Sequence, residues 1–169
     1  GAARADAIVV TKCDSNVELR AEINREVKSY AGNKPVFFSG LKYRPAVPFG
    51  QLNNVGKKVL LVTGIANPTP LVKYVTTHFE LVKHVHLPDH HHYTVVDIQR
   101  IEAALGTTKA DSIVTTEKDW VKLKSEELIN TLNRQKWFYL PIETDFINCG
   151  AEFDTMVELL VKKRLHELD

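Results

Sequence analysis

The feature that most constrains the fold is a regular alternation of short apolar runs with amphipathic segments along the chain. The apolar runs are continuous, which is typical of strands buried on both faces of a parallel sheet. The segments between them carry apolar residues at helical spacing. The pattern therefore predicts an α/β fold, a parallel sheet with helices on both faces. Strands are predicted at Ala7–Val10, Pro35–Ser39, Lys58–Thr63, Leu81–Leu87, Ser112–Thr115 and Trp137–Ile142.

The first predicted helix runs from about Val17 to Tyr30, with Asp14 or Ser15 as its N-cap. Another helix is predicted around Ser125–Asn133, and a final helix follows the last strand.

The segment from Gly40 to Asn54 interrupts the alternation. It contains Pro45, Pro48 and Gly50, which are turn and linker residues. We therefore expect three parts: residues 1–39 as the end of one domain, 40–54 as a linker or hairpin, and 55–169 as an α/β domain.

Composition excludes several classes of protein. The formal net charge of +1 argues against a dominant nucleic-acid surface. No apolar run approaches the roughly 20 residues of a spanning helix.

Cys13 and Cys149 are far apart and form no CxxC pair, so we expect a reducing compartment. The chain enters an apolar strand within a few residues without an initiator Met, so we expect it to be a fragment of a longer protein.

Three polar turns follow predicted strands, where ligands bind in open α/β sheets. The first is Gly64–Pro70, in which Gly64 permits a tight turn, Asn67 or Thr69 can cap a helix, and Pro70 suits its first position. Free backbone N–H groups at such a helix start can hold a phosphate. An ordinary helix start explains the same residues equally well.

The second turn is Pro88–Thr94. Thr94 and Asp97 form a capping-box pattern, which accounts for both without a function. Capping does not account for Asp89, His90 and His91 just outside it. A histidine beside a carboxylate suits acid–base chemistry, and successive loop residues can also ligate a metal. An exposed polar loop is the alternative, and we prefer it for His92.

The third turn is Thr115–Asp119, which contains Thr115, Thr116, Glu117, Lys118 and Asp119. Two hydroxyls, two carboxylates and an ammonium at a strand end can face a ligand, although a solvated turn with a local ion pair explains the charges nearly as well. The sequence contains no P-loop, because the nearest string, Gly50–Lys58, has the wrong spacing and a lysine where a hydroxyl is required.

Four motifs in order resemble the tetraacyldisaccharide 4′-kinase family, the lipid A pathway enzyme of Gram-negative bacteria. These motifs are Ala5–Cys13, Val62–Pro68, Asp89–Thr94 and Ile113–Asp119. The resemblance implies a P-loop kinase with ATP and Mg²⁺, attached peripherally to the cytoplasmic face of the inner membrane. Its substrate is implied to be the 4′-hydroxyl of a lipid-linked glucosamine disaccharide 1-phosphate.

The same resemblance implies roles for particular residues. His90 with Asp89 is the implied catalytic pair, working with an aspartate, a P-loop lysine and Mg²⁺ ligands upstream of Gly1, so this fragment is expected to be inactive alone. Lys12 is expected to lie along the nucleotide, since Thr11–Asp14 resembles a base-recognition turn of P-loop proteins. Substrate-binding roles are expected for Gly64, Asn67, His91, Thr116, Glu117 and Lys118.

Two alternatives stay open on the sequence. Asp-His-His after a strand is also the metal motif of DHH-type phosphoesterases, although their upstream Asp-x-Asp ligands do not occur here. The other alternative is a non-catalytic α/β binding module.

Overall fold

The computed structural model describes residues 2–13, 16–51 and 54–166. Strands and helices follow one another along this part of the chain, and the predicted mixed α/β class is confirmed. In chain order the elements are a 3-10 turn at Ala2–Arg4, β1 Ile8–Val10, α1 Val17–Ala31, β2 Val36–Tyr43, β3 Val47–Pro48, β4 Lys58–Thr63, α2 Thr69–His78, β5 Glu80–His86, α3 Val95–Thr108, β6 Ser112–Thr116, α4 Glu117–Leu123, α5 Glu126–Ile129, β7 Trp137–Leu140, β8 Ile142–Phe146 and α6 Gly150–His166.

The chain forms two compact units, one of Gly1–Lys42 with Glu143–Asp169 and one of Tyr43–Ile142. In the first unit, three strands pair in the order β1-β2-β8, with β1 parallel to β2. Phe37 of β2 makes edge contacts with the rings of Phe146 and Phe153, at centroid distances of 6.2 Å and 5.1 Å. These contacts explain why the C-terminal segment groups with the N-terminal one.

The predicted division instead placed residues 55–169 in one α/β domain. The predicted strand Trp137–Ile142 is two strands, because Pro141 has no N–H to continue the ladder. β7 pairs in the second unit, whereas β8 lies beside β2 and the Ile147 N–H donates to the Phe38 carbonyl at 2.9 Å. Sequence periodicity does not report such a change of sheet.

Two further boundaries differ from prediction. β2 continues through Gly40 to Tyr43, beyond the predicted end at Ser39, so the start of the predicted linker or hairpin is strand. Asn16 is the N-cap of α1, its side chain accepting the N–H groups of Glu18 and Leu19. The predicted caps, residues 14 and 15, lie outside the described residues, as do linker residues 52 and 53.

The second unit contains a five-stranded sheet in the order β3-β7-β6-β4-β5. β4 is parallel to both β5 and β6, β6 is parallel to β7, and the short edge strand β3 is antiparallel to β7. Because β5, β4 and β6 are neighbours and parallel, their carboxyl ends lie at one edge of the sheet. We call this end of the strands the carboxyl edge and the opposite end of the strands the amino edge. Both are distinct from the outermost strands, β3 and β5.

Helices cover both faces of this sheet. Successive residues of β4 point to opposite faces. Leu60 lies in an apolar cluster with Ile98 of α3 and Leu123 of α4, whereas Leu61 lies in a second cluster with Leu71 of α2. All five side chains are buried, and each contributes about 1.5–3 kcal/mol through the hydrophobic effect. The sheet is thus a rigid support for the turns at its edges.

Candidate functional site at the carboxyl edge

The carboxyl edge brings together the three polar turns that the sequence singled out. Residues 64–70 follow β4, residues 88–94 follow β5, and β6 leads directly into α4 at Glu117. The predicted third turn, Thr115–Asp119, is instead the end of β6 and the beginning of α4, since residues from Glu117 onward are helical. Thr116 is the N-cap of that helix, its hydroxyl accepting the Asp119 N–H at 3.0 Å.

Asp89 connects two of these turns. Its Oδ1 accepts a hydrogen bond from the Lys118 ammonium at 2.8 Å and another from the His90 N–H at 2.9 Å. The hydrogen bond from Lys118 is the largest cause that holds the pKa of Asp89 below its ordinary value. The carboxylate is therefore ionised near neutral pH and fixed between the second and third turns.

His90 projects from the second turn into solvent. Its side chain is 79% exposed, and its Nε2 lies 3.5 Å from Asp89 Oδ2. The backbone of His90 has a φ of 60°, in the left-handed region, and the His91 N–H donates to the Pro88 carbonyl to close the turn. Non-glycine residues in that region are uncommon and cluster at functional sites. The predicted pair of Asp89 and His90 is therefore in contact, with an accessible imidazole.

His91 has a different environment from His90. Its Nε2 lies 3.0 Å from Asp97 Oδ2, and its ring packs edge-on against Tyr93 at 5.3 Å. Asp97 also completes the predicted capping box with Thr94, which the structure confirms. Burial raises the pKa of Asp97, but hydrogen bonds from His91 and Thr94 outweigh this and lower it. His91 is thus in contact with the first turn of α3 through Asp97.

Asp119 is the residue that sequence reasoning left without a role. Its side chain is fully buried, and its Oδ2 accepts hydrogen bonds from the Gly64 N–H at 2.9 Å and the Thr116 hydroxyl at 2.8 Å. Its Oδ1 lies 3.4 Å from the Lys122 ammonium. The partner in the first turn is 55 positions away in sequence. The only local signal was its spacing of three residues from Thr116.

Tyr93 adds the second turn to this cluster. It is buried, and burial is the largest cause that raises the pKa of its hydroxyl far above the ordinary value, with the nearby Asp119 charge adding to the effect. The hydroxyl therefore stays protonated throughout the physiological range. The Lys122 ammonium lies 5.9 Å from the centre of the Tyr93 ring, within cation–π range.

The first turn is not the open phosphate cradle that its sequence allows. The Gly64 N–H is engaged by Asp119, and Asn67 Oδ1 accepts the Thr69 N–H at 3.1 Å. Pro68 is the N-cap residue of α2, which places Thr69 first and Pro70 second in the helix. The N–H groups of Gly64 and Thr69 are thus engaged within the structure.

The remaining predicted site residues differ in setting. Glu117 and His92 are exposed, and Lys118 is half-exposed and bonded to Asp89. Lys12 is exposed, has a φ of 59° and belongs to the first unit.

Two features of the described residues bear on metal binding and on membranes. Residues 2–13, 16–51 and 54–166 contain no group of three or more His, Cys, Asp or Glu side chains that can hold a metal ion. In the same residues, no helix is both long enough and apolar enough to cross a bilayer.

Comparison with known proteins gives consistent matches. The model of the family described as Tetraacyldisaccharide-1-P 4'-kinase matches residues 1–162. A tetraacyldisaccharide 4'-kinase of Cytophaga hutchinsonii is 34% identical over 99% of this chain and 48% of its own length. One of Flavobacterium johnsoniae is 34% identical over 98% of this chain and 47% of its own. One of Bdellovibrio bacteriovorus is 34% identical over 73% of this chain and 38% of its own.

The chain therefore spans about half the length of the curated relatives it matches. No solved structure matches it.

Proposed function

Since the chain belongs to the Tetraacyldisaccharide-1-P 4'-kinase family, we propose that it is part of an enzyme that phosphorylates the 4′-hydroxyl of a lipid-linked glucosamine disaccharide 1-phosphate. ATP is the proposed phosphate donor. The observation that carries this proposal is the family match, which includes all three turns of the carboxyl edge. We further propose that the protein works peripherally at the cytoplasmic face of the inner membrane.

The proposed catalytic pair is His90 with Asp89. Phosphoryl transfer depends mainly on positioning and charge stabilisation, and a base must receive the proton of the attacking hydroxyl. The exposed imidazole of His90 can reach a bound sugar. Asp89 faces its Nε2, so Nδ1 is left to take the hydroxyl proton, and the ionised carboxylate stabilises the imidazolium that forms.

Lys118 is proposed to hold this pair in place rather than to bind substrate. Its ammonium occupies Asp89 Oδ1 at 2.8 Å, which leaves Oδ2 facing the imidazole. His91 and Thr116 are likewise engaged in holding the turns. Glu117 and Asn67 remain the proposed substrate contacts of this edge because their side chains are exposed, although Asn67 Oδ1 also accepts the Thr69 N–H.

Nucleotide and metal binding are proposed to rest mainly on other residues. The described residues form no group of three or more His, Cys, Asp or Glu side chains that could hold a metal ion, and the sequence contains no P-loop. Mg²⁺, when bound, would offset the charge of the phosphates. Residues 1–39 are proposed to be the end of a P-loop domain, with Lys12 alongside the nucleotide.

The test is an assay of the full-length protein that contains this chain. With γ-labelled ATP and the tetraacyldisaccharide 1-phosphate, we expect label in the lipid and a second phosphate at the 4′ position by ³¹P NMR. The chain of 169 residues alone is expected to transfer no phosphate and to bind ATP weakly or not at all.

Release of inorganic phosphate from a phosphoester without labelled lipid would contradict the proposal and favour a phosphoesterase. Stoichiometric Mn²⁺ binding by this chain, lost in His90→Ala, would point the same way. Absence of both activities would favour a binding module.

A further inference from the structure

The buried carboxylate of Asp119 lies where all three turns of the carboxyl edge meet. It belongs to the first turn of α4, it accepts the N–H of Gly64 from the turn after β4, and the Tyr93 ring comes from the turn after β5. A buried carboxylate is costly unless its oxygens are paired. Here Oδ2 has two donors and Oδ1 faces the Lys122 ammonium. The side chain therefore has one well-defined position.

There is little space between this carboxylate and the turn after β4. A Cβ added at Gly64 would lie 2.8 Å from Asp119 Oδ1 and 3.4 Å from the Tyr93 hydroxyl. The first of these distances is shorter than carbon and oxygen tolerate without a shift. Glycine at position 64 is thus what lets the backbone approach the carboxylate closely enough to donate its N–H.

Asp119 affects the position of the proposed catalytic pair, Asp89 and His90, through its sequence neighbour Lys118. Lys118 lies in the same helical turn, and its ammonium reaches Asp89 at 2.8 Å. Asp89 in turn accepts the His90 N–H at 2.9 Å. If α4 shifts relative to β4, the ammonium moves and the carboxylate beside the imidazole moves with it.

We propose that Asp119 is a positioning residue that fixes the first turn of α4 against the turn after β4, so that Lys118 holds Asp89 and His90 in the geometry for phosphoryl transfer. This inference rests on the proposed function. Asp119 touches no reacting atom and acts only through the contacts between Lys118, Asp89 and His90.

The test measures kcat and KM for the lipid in the full-length protein. Asp119→Ala removes both acceptor oxygens, and we expect kcat to fall about tenfold or more with little change in KM, since small displacements of a catalytic group cost that much. Asp119→Asn can place its amide oxygen at the position of Oδ2 and keep both hydrogen bonds there. It should therefore recover most of the rate.

A matched control is Asp111→Ala. Asp111 also ties β4 to β6 through a backbone N–H, that of Lys58 at 2.8 Å, but at the amino edge. Its replacement should leave kcat unchanged in the folded protein. If Asp119→Ala does not fold, Thr116→Val serves instead and should also lower kcat, because it removes the hydroxyl that donates to Asp119 Oδ2 and accepts the Asp119 N–H, while keeping the shape of the side chain.

The decisive measurement is a double-mutant cycle with His90→Ala. Residues that act through one another give non-additive losses. We expect Asp119→Ala combined with His90→Ala to be no slower than His90→Ala alone, whereas a general loss of folded protein would slow both backgrounds equally.

Additive losses, or a kcat for Asp119→Ala equal to that of Asp111→Ala, would overturn this proposal while leaving the proposed function intact. His90→Ala at the full rate would overturn the proposed role of His90 and this proposal together. The two failures are therefore distinguishable.

Discussion

At both the amino edge and the carboxyl edge of the five-stranded sheet, an aspartate side chain accepts a backbone N–H, but the two aspartates have different surroundings. At the amino edge, Asp111 Oδ2 accepts the Lys58 N–H at 2.8 Å, and at the carboxyl edge Asp119 Oδ2 accepts the Gly64 N–H at 2.9 Å. Both link β4 to the chain around β6. Asp111 is exposed, whereas Asp119 is fully buried and bonded to further side chains.

The difference shows how one edge is specialised. The bond from Asp111 needs only to hold two strands together, and water can replace it when it breaks. The hydrogen bonds of Asp119 also fix the first turn of α4. Lys118 lies in this turn, and its ammonium reaches Asp89, which contacts the exposed His90. The comparison therefore predicts that equivalent substitutions have unequal effects at the two edges.

The largest difference is expected between Asp119→Ala and Asp111→Ala in the free energy of unfolding. Losing Asp119 leaves two donors buried without an acceptor, at a cost of about 2–4 kcal/mol. Losing the exposed acceptor at Asp111 should cost about 1 kcal/mol. Urea titration followed by tryptophan fluorescence measures both, since Trp120 and Trp137 lie in the second unit. Equal losses would remove the distinction between the edges.

The next largest change in the free energy of unfolding is expected for substitutions at two glycines. Gly64→Ala forces a Cβ against Asp119 and should destabilise the protein by about 1–3 kcal/mol, the usual cost of overpacking. Gly106 lies in α3 with nothing within 4 Å of an added Cβ, so Gly106→Ala should stabilise it by about 0.5–1 kcal/mol. Opposite signs are expected in the same unfolding experiment, and a neutral Gly64→Ala would contradict the tight fit.

A smaller effect is expected at the two ends of α3. Thr94→Ala removes the capping box and should cost about 1 kcal/mol. Thr108 lies at the other end of the helix, where its hydroxyl donates to the Ala104 carbonyl, and Thr108→Ala should change stability by about 0.5 kcal/mol or less. Thermal unfolding followed by circular dichroism compares them. A larger loss at Thr108 would show that the cap is not what stabilises this helix.

The smallest effect is in the titration of Asp89. Its pKa in the folded protein lies below the ordinary value of 3.8, so its contribution to stability is present above that pH and is lost as the pH falls through the lowered pKa. Lys118→Met removes the largest cause and should raise this pKa, so that the loss begins at a higher pH. ¹³C NMR of the carboxyl carbon measures the shift.

Lys122→Met is the control for that titration, because Lys122 pairs with Asp119 rather than Asp89. An unchanged pKa of Asp89 in Lys118→Met would show that the ion pair does not persist in solution.

Local features of this molecule could be predicted from its sequence. Thr94 and Asp97 are three residues apart, and a capping box depends only on the residue types at two such nearby positions, so the prediction was confirmed. The strand Lys58–Thr63 was predicted with its observed bounds because a continuous apolar run has few alternatives. The sequence also placed the three polar turns after strands of a parallel sheet, whereas the order of those strands comes from the structure.

Features that depend on distant partners could not be predicted. The bond from Lys118 to Asp89 joins residues 29 positions apart, and that from Gly64 to Asp119 joins residues 55 apart. Nothing in the local pattern distinguishes an engaged Gly64 N–H from a free one. The chain passes from one sheet to the other at Pro141. This change likewise depends on strands that are distant in sequence and could not be predicted locally.

The most direct test of this account compares two neighbouring histidines in the full-length protein. His90 contacts Asp89 at the carboxyl edge, whereas the exposed His92 has no proposed role. His90→Ala should lower kcat for phosphoryl transfer to the lipid by roughly a hundredfold or more, the scale of lost acid–base participation. His92→Ala should keep the unaltered rate. Equal rates in the two variants, whether both fast or both slow, would contradict the assignment of the chemistry to the Asp89–His90 pair.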